Sequence, residues 1–556
     1  MASFKEEVLA NTNYMKHKAT VSGRFSAIDQ IVAALPDAGT VIRVLPTADG
    51  PAVANAPKSN GFAAAVVDEK YSRTTTTTNG MKAFVDTSDA VLDFFATAGS
   101  ARGKNLSTKF MAALAEDKAL AVRALLWLRD VREGAGERTQ FRNLVATLES
   151  HDPSLAARLI PLVPILGRWD DLFAFTDVKN RKAALAMFAG ALYADNKLAF
   201  KWAPREKSAR KVEASALRNA LGMTPRDYRK FLAFGTDVIE SKMTSKRWLE
   251  INFSHVPSVA AGRYQKAFMR NAGEAYSAYV HELKKPVAER DPKVKINAGA
   301  VTPANVVKSC IQGSSAVANE QWDALPDFIG NSNILPMVDV SGSMGRLSGN
   351  GENPIMHAIS LGLYVSGKNK SAFKDLVLTF SGAATLEKIS GTLDQRISAL
   401  EDVDWGMNTN IKAAFNNILS LAVSNNVAVA DMPDTLLILS DMQFDVANEP
   451  GRDYSSYGAS SYFSRRYSSH EPWNQNVMQL VQKLYAEAGY TMPKIVFWNL
   501  RNDTSSNAPV KFDTLNTALV SGFSPSIMKA VLADDLEEFT PYNVMVKALS
   551  NERYDF

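Results

Sequence analysis

The chain has 556 residues, 46% hydrophobic and 22% charged, with a formal net charge of +4. That length is too great for one core and predicts roughly three or four domain-sized units of ordinary globular composition. The small net charge excludes a chain that engages nucleic acid through global charge, so any basic patch must be local. The single cysteine, Cys310, excludes an internal disulfide framework and fits a reducing compartment.

The first residues show no basic stretch leading into an apolar one, and no run approaches the roughly 20 apolar residues that span a bilayer. A soluble, cytoplasmic protein without membrane contact is expected. Residues 1–75 are rich in Ala, Thr, Pro and Gly and lack helical periodicity. They read as an irregular arm with a strand at 40–45. From 76 to 328 the pattern is helical. Phe110, Met111, Leu114, Leu125 and Leu128 mark one longer helix, and Phe141, Leu144, Val145 and Leu148 keep i, i+3, i+4, i+7 spacing. Thr224-Pro225 is a helix start, a capping hydroxyl followed by proline at the first helical position. Breaks at Gly134, Gly136, Gly167, Pro204 and Pro257 suggest stacked helix pairs, a ring or solenoid of HEAT-like repeats.

From 329 to 556 the rhythm changes. Apolar runs at 334–340, 376–380, 436–439, 495–498 and 518–520 read as strands, with helical patterns between them such as Met478, Leu480, Val481, Leu484 and Tyr485. Alternating β and α predicts a Rossmann-like parallel sheet covered on both faces. A Ser-, Tyr-, Gly- and Arg-rich stretch at 446–473 reads as a long inserted loop.

The strand ending at Val340 carries Asp339, Ser341 and Ser343 in a D-x-S-x-S pattern at its C-terminal edge, where open α/β sheets place ligands. Thr409 adds a hydroxyl before a helical pattern (Ile411, Phe415, Ile418, Leu419), and Asp441 ends a second buried strand. Hydroxyls and carboxylates form a hard oxygen set suited to Mg²⁺, with Mn²⁺ as the alternative. The competing reading is a plain strand-to-helix turn in which Asp or Ser caps the next helix.

The ordered set resembles the metal-ion-dependent adhesion site of von Willebrand factor A domains. That resemblance implies direct hydroxyl ligation by Ser341, Ser343 and Thr409, with Asp339 and Asp441 acting through waters. It also implies an open position that takes a partner's carboxylate. The helical half carries Arg129-Asp130-Val131-Arg132-Glu133-Gly134-Ala135-Gly136-Glu137-Arg138 and, upstream, Thr78-Asn79-Gly80. With the metal motif these resemble the Ro autoantigen plan, a TROVE module of helical repeats followed by a von Willebrand A domain. Gly167-Arg168-Trp169-Asp170-Asp171-Leu172, Lys201-Trp202-Ala203-Pro204 and Arg226-Asp227-Tyr228-Arg229-Lys230 are more similar to a branch with the same plan in plants, microbes and phages, whose domains have no known function. The resemblance implies a monomeric ribonucleoprotein scaffold for structured or single-stranded RNA. The alternative is a metal-dependent protein-interaction module that binds an acidic ligand.

A local signal bears on the RNA reading. Between Lys197 and Lys230 stand Lys197, Lys201, Arg205, Lys207, Arg210, Lys211, Arg218, Arg226, Arg229 and Lys230, opposed only by Glu206, Glu213 and Asp227. Such a stretch is a candidate phosphate-binding stripe, and Trp202, Tyr228 and Trp248 could stack bases if exposed. The bland alternative is a solvated charged face with core aromatics. The Arg129 to Arg138 segment reads first as a salt-bridge network bracing a turn, and Trp169, Asp170 and Asp171 as a turn anchor. No histidine pair, nucleophile elbow or phosphate-cradling loop is spelled out, so an enzyme is not expected.

Overall fold

The computed structural model describes residues 74–556 except 287, 314, 348–352, 402–405, 407, 446–475, 502–506, 534 and 537. The arm before residue 74, with its strand at 40–45, and the inserted loop at 446–473 lie outside the described residues.

The C-terminal half is built on a six-stranded sheet in the order β5-β4-β3-β6-β7-β8. Its strands are β3 (Ile334–Asp339), β4 (Leu376–Phe380), β5 (Ala384–Lys388), β6 (Thr435–Ser440), β7 (Lys494–Asn499) and β8 (Thr517–Ser521). The apolar runs are continuous because both faces are covered. Val338, Leu439, Val496, Trp498 and Val520 enter one core, while Met337, Ile438, Ile495, Phe497 and Leu519 enter another on the opposite face. Helix Pro354–Lys368 covers the first face, and helices Ile411–Ser424 and Val477–Ala488 cover the second.

The expectation of a parallel sheet needs one correction: β5 pairs antiparallel with β4 at the edge. Its Ala-Thr-Leu-Glu-Lys sequence is largely solvent-facing, so no apolar run announces it. A further pair, β1 (Thr74–Thr76) and β2 (Lys82–Phe84), forms an antiparallel hairpin that straddles the expected boundary between the irregular arm ending at 75 and the helical stretch. The hairpin docks on the sheet half, with bridges from Gly80 to Asp445, Lys82 to Asn476 and Phe84 to Ala508.

Successive helices occupy most of residues 90–323. The single helix expected across Phe110 to Leu128 is two, Ser107–Glu116 and Lys118–Arg129, parted at Asp117. Asp117 takes an extended backbone, and its carboxylate accepts from Leu120 N at 2.9 Å, capping the second helix. Thr224 caps helix Pro225–Gly235 in the same way, with Pro225 at the first helical position.

The helical run begins and ends on the sheet half. Helix Ala90–Ala98 packs on β8, and helix Pro303–Ile311 packs on Pro354–Lys368. One core therefore continues from the early helices into one face of the sheet. A satellite core gathers Phe268 and Tyr276 with partly buried Phe253.

The buried network in the helical half is not internal to the Arg129–Arg138 segment as the sequence suggests. Arg129 pairs with Asp171 at 2.7 Å, and Asp130 receives Arg553 at 2.7 and 2.9 Å. Gly167 is needed here, because a Cβ would meet Arg129 Nε and Asp171 Oδ2 at 2.6 Å. The C-terminal residues thus lock into the helical half: Arg123 binds Leu549 O at 3.0 Å and Asp555 at 2.7 Å, and Tyr554 is fully buried with its hydroxyl 3.3 Å from Asp130. Tyr554→Ala should cost about 3–5 kcal/mol, as large-to-small aromatic changes do in cores. A fall in the urea midpoint of the full chain would show it, and an unchanged midpoint would refute the lock.

Candidate functional site

Strands β3 and β6 run side by side in parallel, with Val338 level with Leu439. The chain passes from β3 to β4 on one side and later returns to place β6 on the other. The order therefore reverses between β3 and β6, and the crevice at their C-terminal ends is the switch point where such sheets bind ligands. Asp339 ends β3, and Asp441 follows the last residue of β6. Thr409 lies in the loop before helix Ile411–Ser424, whose cap is Asn410.

Asp339 is fully buried. Its Oδ1 accepts from Ser341 N at 2.9 Å, and its Oδ2 accepts from the Ser440 hydroxyl at 2.6 Å. The Ser341 and Ser343 hydroxyl oxygens stand 3.1 Å apart. Ser341 is buried and Ser343 exposed, so the cluster opens to solvent on the Ser343 side. Asp441 is nearly buried and accepts from Gln443 N at 3.1 Å.

Electrostatics set this cluster apart. Burial, reinforced by the charge of Asp441, pushes the Asp339 carboxyl up to about 7. The two carboxylates lie close enough that the charge of Asp441 disfavours ionisation of Asp339. Thr409 is fully buried, and its Oγ1 has no hydrogen-bond partner among the described residues. Its loop is held at the same sheet edge as the two carboxylates by the bonds from Asn410 N to Ser381 O and from Asp445 N to Thr409 O. A buried hydroxyl without a partner in that loop is chemically compatible with a hard divalent cation. Asp339 closes the turn by accepting from Ser341 N, as in an ordinary Asx turn. Neither the turn after Ser341 nor helix Pro354–Lys368 after Asn353 has a side-chain cap.

No group of three or more His, Cys, Asp or Glu side chains poised to hold a metal occurs among the described residues. The set at the crevice is different in kind, two carboxylates with three hydroxyls. Sequence reasoning missed Ser440, which orients Asp339, and Asp445. The Asp445 carboxylate accepts from Thr409 N at 2.8 Å, and its own N donates to Thr409 O at 3.0 Å. Ser440 was visible as the serine of Leu-Ser-Asp, but Asp445 carries no motif.

The basic stretch is dispersed over several partners. Lys197 pairs with Asp195 at 2.7 Å, Lys201 with Glu240 at 3.1 Å, Arg210 with Asp170 at 3.2 Å, and Arg218 and Arg229 with Glu206 at 3.2 and 3.4 Å. Arg205 donates to Thr236 Oγ1 at 2.9 Å. Lys207, Lys211, Arg226 and Lys230 are exposed and make no ion pair among the described residues. The aromatics are not open platforms. Tyr228 is buried and donates to Pro204 O, Arg168 covers the Trp202 ring at 3.2 Å, and Trp248 packs edge-on to Phe268.

The geometry defines a class: a helical module and a doubly covered α/β sheet sharing one core, with an oxygen-rich crevice at the switch point of the sheet. Two family models match, each described as a domain of unknown function: DUF2828 over residues 181–332 and DUF7788 over residues 333–553. The chain is 29% identical over 533 residues to the uncharacterized protein L728 of Acanthamoeba polyphaga mimivirus, covering 85% of this chain and 86% of that protein. It also aligns with the crystal structure of the RO (RSR) protein of Deinococcus radiodurans at 13% identity and a TM-score of 0.42, covering 83% of this chain and 99% of that one. No helix among the described residues is long and apolar enough to cross a membrane.

Proposed function

We propose that the protein is a non-catalytic binding scaffold whose sheet half holds a divalent cation, Mg²⁺ or Mn²⁺, and uses it to take an acidic group of a partner. The observation that carries this reading is the buried Thr409 hydroxyl, without a hydrogen-bond partner among the described residues, on a backbone held by Asp445 of the loop that begins at Asp441. Ser341, Ser343 and Thr409 would hold the ion directly, and Asp339 and Asp441 through waters, as the resemblance to von Willebrand A adhesion sites implies. The ion would supply a Lewis-acidic contact for a carboxylate. The test is a Mn²⁺ titration of the chelator-treated full chain, followed by recovery of bound partners with and without EDTA. Saturable binding near one ion per chain supports the reading, and its absence overturns it.

A second reading places RNA on the helical half, in line with the resemblance to the Ro plan. It is favoured by Lys207, Lys211, Arg226 and Lys230, four exposed cations with no ion pair among the described residues in a stretch whose other cations are held by carboxylates or, for Arg205, by Thr236. Each phosphate contact on a single strand contributes about 0.7 to the salt slope. Changing all four to Glu should lower the slope of log K against log salt by up to about 3 for a single-stranded RNA probe. An unaltered slope and affinity would remove these residues from the interface.

A further inference from the structure

The hairpin formed by β1 and β2 lies more than 360 positions from the loop it touches, yet its tip contacts that loop at almost every residue. Thr77 Oγ1 donates to Phe444 O at 2.6 Å in a buried contact. Thr78 N donates to Gln443 Oε1 at 2.8 Å, and the Thr78 hydroxyl reaches the same oxygen. Asn79 Nδ2 donates to Gln443 O at 2.7 Å, and the Asn79 side chain also bonds the Asp445 carboxylate. Gly80, in the left-handed region at φ +93°, bridges the Asp445 backbone.

The loop so gripped begins at Asp441 and ends at Asp445, which holds Thr409 from both its N–H and its C=O. The same five residues therefore carry one candidate ligand and fix a second. Met442, within the loop, is buried at φ +63°, a conformation that non-glycine residues adopt only when neighbours enforce it. Its N–H is held by the Ser440 hydroxyl at 3.0 Å, so β6 restrains one end and the hairpin the other.

We propose that residues 77–79 are positioning residues for the cation crevice. By clamping loop 441–445 they set the spacing of Asp441 against Thr409. The inference rests on the cation reading of the crevice. Outer partners that orient ligands commonly govern affinity by about 10–100-fold.

The test compares Mn²⁺ affinity and the Mn²⁺ electron paramagnetic resonance spectrum of the full chain with those of Asn79→Ala, Thr77→Val and Thr77→Ser. Asn79 is exposed, so its truncation spares the core even if Thr77→Val fails to fold. We expect Asn79→Ala and Thr77→Val to weaken Mn²⁺ binding about tenfold and to broaden the bound-ion spectrum, while Thr77→Ser, which keeps the donor, restores both. Parent-like affinity and spectrum in Asn79→Ala, with the parent chain binding Mn²⁺, would overturn the positioning role and leave the cation reading standing. Failure of the parent chain to bind Mn²⁺ would overturn both.

Discussion

Asp339→Asn should abolish the stabilisation conferred by Mn²⁺ while leaving the metal-free protein as stable as before, or more so. The Asp339 carboxylate is fully buried, and the Asp441 charge beside it works against its ionised form. An amide of the same shape still accepts from Ser341 N, and the Ser440 hydroxyl can turn to accept from it. The fold therefore loses a costly buried charge but little hydrogen bonding. With the ion at 100 times its Kd, the parent chain gains about 2.7 kcal/mol from binding. Thermal melts with and without Mn²⁺ would read a clear upward shift in the parent and none in the variant. A variant that keeps the shift would dismiss Asp339 from the site, and with it the strand-end geometry on which the cation reading depends.

Asp171→Ala should be among the most destabilising single changes in the molecule. Asp171 is fully buried and accepts from Arg129 Nε at 2.8 Å, Arg142 Nε at 2.7 Å and Arg168 N at 2.8 Å. Arg142 also pairs with Asp170 at 2.9 Å and keeps a partner. Arg129, 1% exposed, would be left as an uncompensated charge in the core. Breaking such a pair from one side costs about 3–5 kcal/mol, whereas replacing both partners with apolar groups costs far less. Urea unfolding of Asp171→Ala and of the double variant Arg129→Met/Asp171→Leu separates the two effects. The double variant should be the more stable, and a loss below about 1 kcal/mol in the single variant would refute the network's role.

Residues whose burial is written as apolar runs were legible in the sequence. Strands β3, β4, β6, β7 and β8 fall where such runs occur, because a sheet covered on both faces admits no polar alternation. Strand β5 was not legible, since at an exposed edge its side chains need not be apolar. The break at Asp117 was written there as a capping residue but masked by apolar periodicity that continues across it. Asp445 and the hairpin tip could not be read as parts of the site. Asp445 bonds Thr409 across 36 positions and the hairpin tip bonds its loop across more than 360, and no spacing rule encodes such contacts.

The basic stretch gives the clearest contrast between the two levels. Its charge excess is a property of the sequence, but whether a charge is available for phosphate depends on what folds against it. Glu206 takes Arg218 and Arg229, Glu240 takes Lys201, Asp170 takes Arg210, Asp195 takes Lys197 and Thr236 takes Arg205, so that four of the ten cations have no such partner among the described residues. The sequence by itself determined the helical-then-α/β plan and put the carboxylates and hydroxyls at strand and loop ends, because periodicity and turn chemistry are local. The tertiary structure alone decided that Asp441 stands beside Asp339, that Asp445 holds Thr409, that Asp171 serves Arg129, and that the β1–β2 hairpin grips loop 441–445. Those outcomes follow from which distant polar groups are buried together and must satisfy one another.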